Sequence, residues 1–169
     1  MNDTTDDTAD EPMSDAIRTI GLISDTHGLL RSSATRALEK AGIILHAGDI
    51  GSMAIIDELE LIAPVYAVRG NTDFKPGADA LPDYLPVKAG GKIIGVIHDR
   101  HSLGFDPAAK GVSVVVHGHT HKASVEEAGG VLYINPGSAG PPRSGRTPSV
   151  GILRIENGRF VPEIIPLDE

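Results

Sequence analysis

Seven side chains of metal-ligating types stand in five short segments of this sequence. The segments are SDTHG, HAGDI, RGNTD, VIHDR and HGHTH, and each follows an apolar run of strand length. The seven residues are Asp25, His27, Asp49, Asn71, His98, His119 and His121. Oxygen and imidazole ligands without sulfur suit Mn, Fe, Co, Ni or Zn. The pattern therefore indicates a pocket for two divalent cations.

The spacing inside the segments supports this interpretation. Asp25 and His27 are two positions apart, as are His119 and His121, and residues at this spacing in an extended chain point to one side. A single Gly-Asp or Gly-Asn predicts a turn more often than a ligand. It is the recurrence of five such segments, each at a strand end, that indicates a metal site.

The elements that position the first three segments alternate between strand and helix. Strands are predicted over residues 20–23, 43–45 and 65–68. Helical spacing predicts one helix that ends at Gly42, its C-terminal cap, and a second that begins at Ser52 and stops before Pro64. This βαβαβ order predicts a parallel sheet, and ligands gather beyond the carboxyl ends of the strands in such sheets.

The second half of the sequence predicts a different arrangement. A hairpin is expected around Gly90 and Gly91, followed by a short helix over 106–110 and a buried strand over 112–116. The remaining apolar runs predict antiparallel strands at 123–127, 131–134, 150–155 and 160–165. Together the two halves predict two packed mixed sheets with helices outside.

Composition limits the classes of protein to which the chain can belong. At 169 residues it is long enough for one domain with a sizeable core, and the absence of cysteine excludes disulfides and thiolate metal sites. No apolar run is long enough for a transmembrane helix, and the acidic N-terminus does not resemble a secretory signal. A cytoplasmic location without membrane association is therefore expected.

The net charge of −8 is concentrated at the N-terminus. Residues 1–15 carry six acidic and no basic residues, which leaves 17 acidic and 15 basic residues elsewhere. We interpret residues 1–17 as a disordered tail and residues 18–169 as the folded domain. No basic patch suggests nucleic-acid binding, and the low aromatic content of 4% argues against a nuclease.

The motifs GLISDTHG, ILHAGDI, VRGNTD, VVVHGHTH and INPGSAGPPR resemble those of the calcineurin-like metallophosphoesterases. Within that superfamily the chain is similar to the small prokaryotic phosphodiesterases of the YfcE type. The resemblance runs from about Arg18 to the C-terminus. It implies an α/β (α+β) fold, a four-layer αββα sandwich of two mixed β-sheets flanked by helices.

The resemblance also implies a role for each candidate ligand. One metal would be held by Asp25, His27, Asp49 and His121, and the other by Asp49, Asn71, His98 and His119. Asp49 would bridge the two, a hydroxide shared by the metals would attack the phosphorus, and Asp49, Asn71 and His98 would act in catalysis. Manganese is the preferred metal, with Fe, Zn, Ni or Co as alternatives.

Three residues depart from the family pattern or extend it. The family often has His-Gly-His where this chain has His98-Asp99-Arg100-His101, so His98 is the preferred ligand and His101 the fallback. Many larger members have a histidine after the Gly-Asn, where this chain has Thr72. Thr72 and Arg143 are expected to contact substrate, the latter as a phosphate ligand.

The expected function is thus a phosphodiesterase that uses two divalent metal ions and acts on a small phosphoester. Without an imidazole at Thr72, the enzyme should favour leaving groups that depart without protonation. Two alternatives remain: a phosphomonoesterase, and a non-catalytic scaffold with the same fold, like the retromer subunit that resembles this family. A homodimer is one option for the assembly, because dimers are the commonest soluble oligomers.

Overall fold

The structure is a computed structural model that describes residues 17–143 and 145–168. These residues form two five-stranded sheets that pack against each other, which confirms the two mixed sheets expected from the sequence. Most of the predicted tail, residues 1–16, lies outside the described residues. Ile17 is described, and it is buried in the cluster between the sheets.

The first sheet combines the parallel strands of the first half with the C-terminal hairpin. Its spatial order is β10 (Arg159–Pro166), β9 (Ser149–Glu156), β1 (Thr19–Ile23), β2 (Ile43–His46) and β3 (Val65–Ala67). β1, β2 and β3 are parallel, as predicted, whereas β9 is antiparallel to both β1 and β10. All four residues of β2 are buried because both faces of the sheet are covered at this point.

The second sheet is also mixed. Its spatial order is β4 (Tyr84–Ala89), β5 (Lys92–Ile97), β6 (Val112–Val116), β8 (Val131–Asn135) and β7 (Ser124–Ala128). β4 and β5 form the predicted hairpin around Gly90 and Gly91. β8 is antiparallel to β7 but parallel to β6, a pairing that the sequence did not predict.

Two α-helices connect the parallel strands of the first sheet, α1 (Ser32–Ala37) and α2 (Met53–Glu60). The hydroxyl of Ser52 accepts a hydrogen bond from the amide of Ala54, which confirms the predicted N-cap. The prediction for α1 is wrong at its C-terminus: the helix ends at Ala37, and Gly42 has no left-handed φ. Gly42 instead donates its amide to the carbonyl of Thr19, the first residue of β1, so it belongs to the start of the next strand.

Three apolar clusters define the layers. The largest lies between the sheets and includes Leu22 and Leu45 from the first sheet and Val116 from the second. A second cluster joins the outer face of the first sheet to both helices. On the outer face of the second sheet, the described residues contain only short 3-10 turns, such as Arg100–Ser102 and Ala108–Lys110, so the helix expected over 106–110 is a single 3-10 turn.

Within residues 17–143 and 145–168, no helix has the length and apolar composition that crossing a membrane requires.

Candidate metal centre

The seven predicted ligands lie in the loops that follow five strands. Asp25 and His27 follow β1, Asp49 follows β2, Asn71 follows β3, His98 follows β5, and His119 and His121 follow β6. The loop after β6 joins the second sheet to the first, because the amide of His119 donates to Asp25 Oδ2 at 3.2 Å. The ligand loops of both sheets therefore meet at one edge of the sandwich.

The backbone of these loops adopts conformations that L-amino acids rarely take. Among the described residues, six non-glycine residues have positive φ. Five of them are predicted ligands: Asp25 (56°), His27 (45°), Asp49 (54°), His119 (72°) and His121 (60°). Residues held in the left-handed region cluster at functional sites, where the surrounding structure fixes them. The backbone thus marks the same residues that the sequence singled out.

Two glycines permit the close approach of the loops. A Cβ on Gly70 would meet the backbone nitrogen and the carboxylate of Asp49, and a Cβ on Gly118 would meet Ser24 and the Asp25 carboxylate. Neither glycine has a left-handed φ. Their role here is therefore to leave room for the two aspartates rather than to make a turn.

Asp25, His27 and His121 form the first group of converging ligand atoms. His121 Nε2 lies 3.2 Å and His27 Nε2 lies 3.9 Å from Asp25 Oδ1, and the two Nε2 atoms are 3.4 Å apart. Asp25 is fully buried. Its Oδ2 accepts hydrogen bonds from Ser24 Oγ at 2.6 Å and from the His119 amide, so Oδ1 is the atom that faces the imidazoles.

Asp49 and His98, with Asn71 and His119, form the second group. His98 Nε2 lies 3.3 Å from Asp49 Oδ2 and 2.9 Å from Asn71 Oδ1. His119 Nδ1 is 3.1 Å from the same Asn71 oxygen. Asp49 Oδ2 also lies 3.7 Å from His27 Nε2. The Asp49 carboxylate therefore stands between the two groups.

The donor set fits divalent cations. Asp25 Oδ1 and His121 Nδ1 are buried and have no hydrogen-bond partner, although a buried carboxylate oxygen is normally satisfied. The ligand atoms of Asp25, His27 and His121 lie within 4.8 Å of one another, and so do those of Asp25, Asp49 and His98. Carboxylates and imidazoles at these separations suit Mn, Fe or Zn. A cation would satisfy the open oxygen of Asp25 and the nitrogens that face it.

Burial and hydrogen bonding shift the ionisation of the second group. Burial would raise the pKa of Asp49, but hydrogen bonds from His98 and from the Thr72 amide outweigh it and hold the pKa below its usual range. Burial would lower the pKa of His98, yet the contact with Asp49 raises it overall. Asp49 is therefore an ionised carboxylate, which is the form that binds metal.

A comparison with protein families identifies the chain. Residues 19–158 match the family model described as the calcineurin-like phosphoesterase superfamily domain. The chain belongs to this superfamily. A probable metallophosphoesterase of Methanothermobacter thermautotrophicus is 36% identical over 158 residues, which are 86% of this chain and 91% of the relative. Phosphodiesterase YfcE of Escherichia coli K12 is 32% identical over 102 residues, which are 56% of this chain and 54% of YfcE. The resemblance to this family that the motifs indicated is confirmed.

Solved structures show the same fold as this phosphoesterase. An archaeal phosphodiesterase is 29% identical, covers 87% of this chain and 99% of its own, and has a TM-score of 0.73. Vps29 of Entamoeba histolytica, solved as a complex with Zn²⁺, is 25% identical with a TM-score of 0.65. That comparison covers 89% of this chain and 99% of Vps29.

The two alternative metal ligands, His98 and His101, differ in their exposure to solvent. His98 is buried and contacts Asp49 and Asn71. His101 is exposed in the 3-10 turn Arg100–Ser102, and its amide is capped by the side chain of Asp99. Of these two histidines, only His98 belongs to a group of converging ligand atoms among the described residues.

The two predicted substrate contacts lie at the rim of the centre. Thr72 is exposed, and its amide donates to Asp49 Oδ1 at 2.9 Å. Arg143 is also exposed. Burial lowers the pKa of His121, and the charge of Arg143 adds to this effect, although Asp25 opposes it. Arg143 is thus close enough to influence the site electrostatically.

Two buried residues, His46 and Thr26, lie behind the candidate site. Nε2–H of His46 donates to Thr26 Oγ1 at 3.0 Å, and its Nδ1 accepts from the Gly48 amide at 3.2 Å. Thr26 Oγ1 in turn donates to the carbonyl of Ile50. His46 therefore ties the loop after β1 to the loop after β2. In the sequence its only signal is its place next to a ligand motif.

Asp73 and Asn135 hold further ligand loops in place. The carboxylate of Asp73 accepts from the amides of Ile50, Gly51 and Gly70, which joins the loops after β2 and β3. Nδ2 of Asn135 donates to Gly118 O and to the hydroxyl of Thr120, which fixes the loop of His119 and His121. The sequence does not reveal this role of Asn135, because the distant partner of an amide side chain leaves no local pattern.

Proposed function

We propose that this phosphoesterase hydrolyses phosphodiesters with two divalent metal ions. The observation that carries the proposal is the convergence of Asp25 Oδ1, His27 Nε2 and His121 Nε2. The carboxylate oxygen is buried without a hydrogen-bond partner, and the two imidazole nitrogens face it. This arrangement is suited to a cation and is costly without a ligand role.

The proposed ligand sets follow from the two groups. The first set is Asp25, His27, Asp49 and His121, and the second is Asp49, Asn71, His98 and His119. Metal ions of this kind lower the pKa of a bound water and neutralise charge on phosphate oxygens. Manganese is the metal that we propose, with Fe, Zn, Ni or Co as alternatives.

The protein's own contribution is to fix the orientation of these side chains. Asp49 stands between His27 and His98, so it is the residue through which the two groups are coupled. His98 is oriented by a hydrogen bond of 2.7 Å between Nδ1 and the carbonyl of Ala47, which leaves Nε2 directed at Asp49 and Asn71. Such a hydrogen bond fixes the tautomer and the ring plane of a ligating imidazole.

The residue after Asn71 supports the preference for diesters. A threonine hydroxyl cannot protonate a leaving group at neutral pH as an imidazole can. The described contact of Thr72 is made by its amide, which supports Asp49 rather than a leaving group. The site therefore fits esters with stable leaving groups, such as aryl diesters, better than it fits alkyl monoesters.

A non-catalytic scaffold is the alternative from another functional class. The similarity to Vps29 gives it a structural basis, since the folds agree over 89% of this chain. The presence of all seven candidate ligands in the sequence and the open oxygen of Asp25 favour an enzyme instead. Loading with Mn²⁺ and measuring turnover distinguishes the two functions.

The test compares a bis-aryl phosphodiester with a simple alkyl monophosphate, using protein reconstituted with Mn²⁺. We expect turnover of the diester, and we expect Asp49→Asn to lower kcat/KM by at least about 100-fold because both ligand groups lose a carboxylate. The matched control is Asp57→Asn, which makes the same chemical change at an exposed position of α2 and should leave kcat/KM unchanged.

Two outcomes would overturn the proposal. Comparable turnover of the alkyl monophosphate and the aryl diester would remove the preference for diesters. Activity that persists after a chelator has removed the metal would remove the metal-dependent mechanism. The cytoplasmic location and the homodimer are not tested by these experiments and stay predictions.

A further inference from the structure

A cavity of about 570 Å³ opens beside the candidate metal centre. Asn71, His98 and His119 line it, and all three belong to the proposed ligand set. Pockets for small organic ligands have about 300–1,000 Å³. A phosphate alone would leave most of this volume empty. The cavity therefore has room for a large substituent of a phosphoester bound at the metal centre.

Phe74 forms an aromatic wall of this cavity. Its side chain is 80% exposed, and it is the only exposed Phe or Tyr among the residues that the structure describes. The loop around it is well anchored, because the preceding residue, Asp73, is buried and accepts three backbone amides. Phe74 thus presents a ring from a fixed loop to solvent at the mouth of the site.

The charges around the cavity disfavour a second anionic group. Arg69 is the one lysine or arginine in its lining, and its guanidinium is held by Asp83 at 2.8 Å and by the carbonyl of Asp79. Asp83 and Asp99 are also among the lining residues, and Asp99 Oδ1 accepts a hydrogen bond from the amide of His101. Apart from the proposed metal ligands, the lining has one cationic and two anionic side chains, so this part of the cavity suits neutral groups that donate hydrogen bonds.

We propose that this cavity binds a nucleoside substituent of the phosphodiester, with the base stacked on Phe74 and its donors directed at Asp83 and Asp99. The inference rests on the proposed function and specifies its substrate class. Stacking requires only a flat ring, and amino and hydroxyl groups of a nucleoside supply the donors that the carboxylates accept. A purely aliphatic or a doubly anionic substituent matches neither feature.

The first experiment compares two inhibitors that differ only in the base. Adenosine 5′-monophosphate and ribose 5-phosphate carry the same phosphate and sugar, and each is tested against turnover of the aryl diester. We expect the inhibition constant of adenosine 5′-monophosphate to be about tenfold lower, as one stacked base contributes on this scale. Phe74→Ala should abolish the difference, and Phe74→Tyr should retain it because the ring remains.

The second experiment needs no turnover. The chain contains no tryptophan, so Phe74→Trp introduces a single tryptophan, whose fluorescence can be excited apart from that of the three tyrosines, at the proposed stacking position. Adenosine 5′-monophosphate should quench this fluorescence at concentrations where ribose 5-phosphate does not. The matched control is Leu61→Trp, at a residue that is 88% exposed beyond the C-terminus of α2, where neither compound should quench.

The outcomes separate this inference from the proposed function. If the protein does not hydrolyse the diester but adenosine 5′-monophosphate selectively quenches Trp at position 74, the phosphodiesterase function is rejected and the nucleoside site is retained. Hydrolysis with equal inhibition by the two compounds, in wild type and in Phe74→Ala alike, would overturn the nucleoside site. A protein dimer that Phe74→Ala dissociates, together with equal inhibition constants, would assign the ring to protein association and would also overturn it.

Discussion

The imidazole of His98 is held at both of its nitrogens. Nδ1 is 2.7 Å from the carbonyl of Ala47, and Nε2 lies between Asn71 and Asp49 at 2.9 and 3.3 Å. Three residues later, His101 has an exposed side chain in a 3-10 turn. The sequence offers both histidines as candidate ligands, but one is buried and the other is exposed. Substitution of each tests which of them binds metal.

We predict that His98→Ala lowers kcat/KM for an aryl diester by at least about 100-fold. Removal of a metal ligand should lower activity more than removal of a residue that only orients a ligand. His101→Ala should remain within about twofold of wild type, as expected for an exposed side chain away from the centre. Bound Mn²⁺ is measured in both variants and should fall only in His98→Ala. A larger loss in His101→Ala would instead make His101 the ligand.

Residue types and spacing were sufficient to select the seven side chains that the structure brings together. They were not sufficient for the residues behind them. Ser24, His46 and Asp73 orient ligand loops through partners that the sequence does not reveal. A serine, a histidine or an aspartate next to a ligand motif has the same sequence signal whether it faces water or supports a ligand, so only the folded contacts distinguish the two.

At the scale of elements, the loops after parallel strands approach one another more closely than ordinary side chains would allow. Gly70, in the loop after β3, lies directly against the backbone and carboxylate of Asp49 in the loop after β2. The amides of Gly70 and Ile50 both donate to Asp73, which draws the two loops together. The position of Asp49 consequently depends on the absence of a side chain on its neighbour.

Gly70→Ala should therefore displace Asp49. A misplacement of about 1 Å lowers catalytic rates by about 100-fold, and we expect a loss of kcat/KM on this order. The control is Gly42→Ala, because a Cβ there meets its nearest neighbour at an ordinary 3.5 Å and φ is not left-handed. It should leave kcat/KM unchanged and the free energy of unfolding within about 0.5 kcal/mol. Full activity of Gly70→Ala would contradict the packing described for Asp49.

The elements themselves were predictable where their signals are local. The parallel order of β1, β2 and β3, the Ser52 cap and the hairpin around Gly90 all follow from short patterns. The parallel pairing of β8 with β6 does not, because it joins strands on either side of an intervening strand, β7. The end of α1 was also mispredicted: Ala41 continues the helical spacing, but the chain has already turned toward β2.

At the scale of the whole molecule, the site edge contains a histidine whose neutral form is favoured by folding. His46 is fully buried, and burial lowers its pKa from 6.5 to about 3. The unfolded chain therefore binds a proton near pH 6.5 that the folded chain does not bind. The stability that the folded state derives from neutral His46 is fully present above about pH 6.5, and it is lost as the pH falls toward 3.

We predict that wild type loses about 2 kcal/mol more free energy of unfolding than His46→Gln between pH 7 and pH 5. Glutamine keeps a donor for Thr26 but does not titrate. Urea denaturation of chelator-treated protein at the two pH values measures the difference. Between pH 7.5 and 8.5 the two proteins should change in parallel, and equal losses down to pH 5 would contradict the buried neutral state of His46.

Five of the proposed ligands have left-handed backbones, a conformation that costs an L-residue roughly 1–2 kcal/mol relative to glycine. Selection for stability alone would favour glycine at these positions, because glycine adopts the conformation without a Cβ clash. In the proposed metal centre, the carboxylates and imidazoles supply the ligand atoms that glycine lacks, which accounts for Asp and His at these positions. A relative that no longer needed the metal centre could therefore relieve this strain by replacing the ligands with glycine.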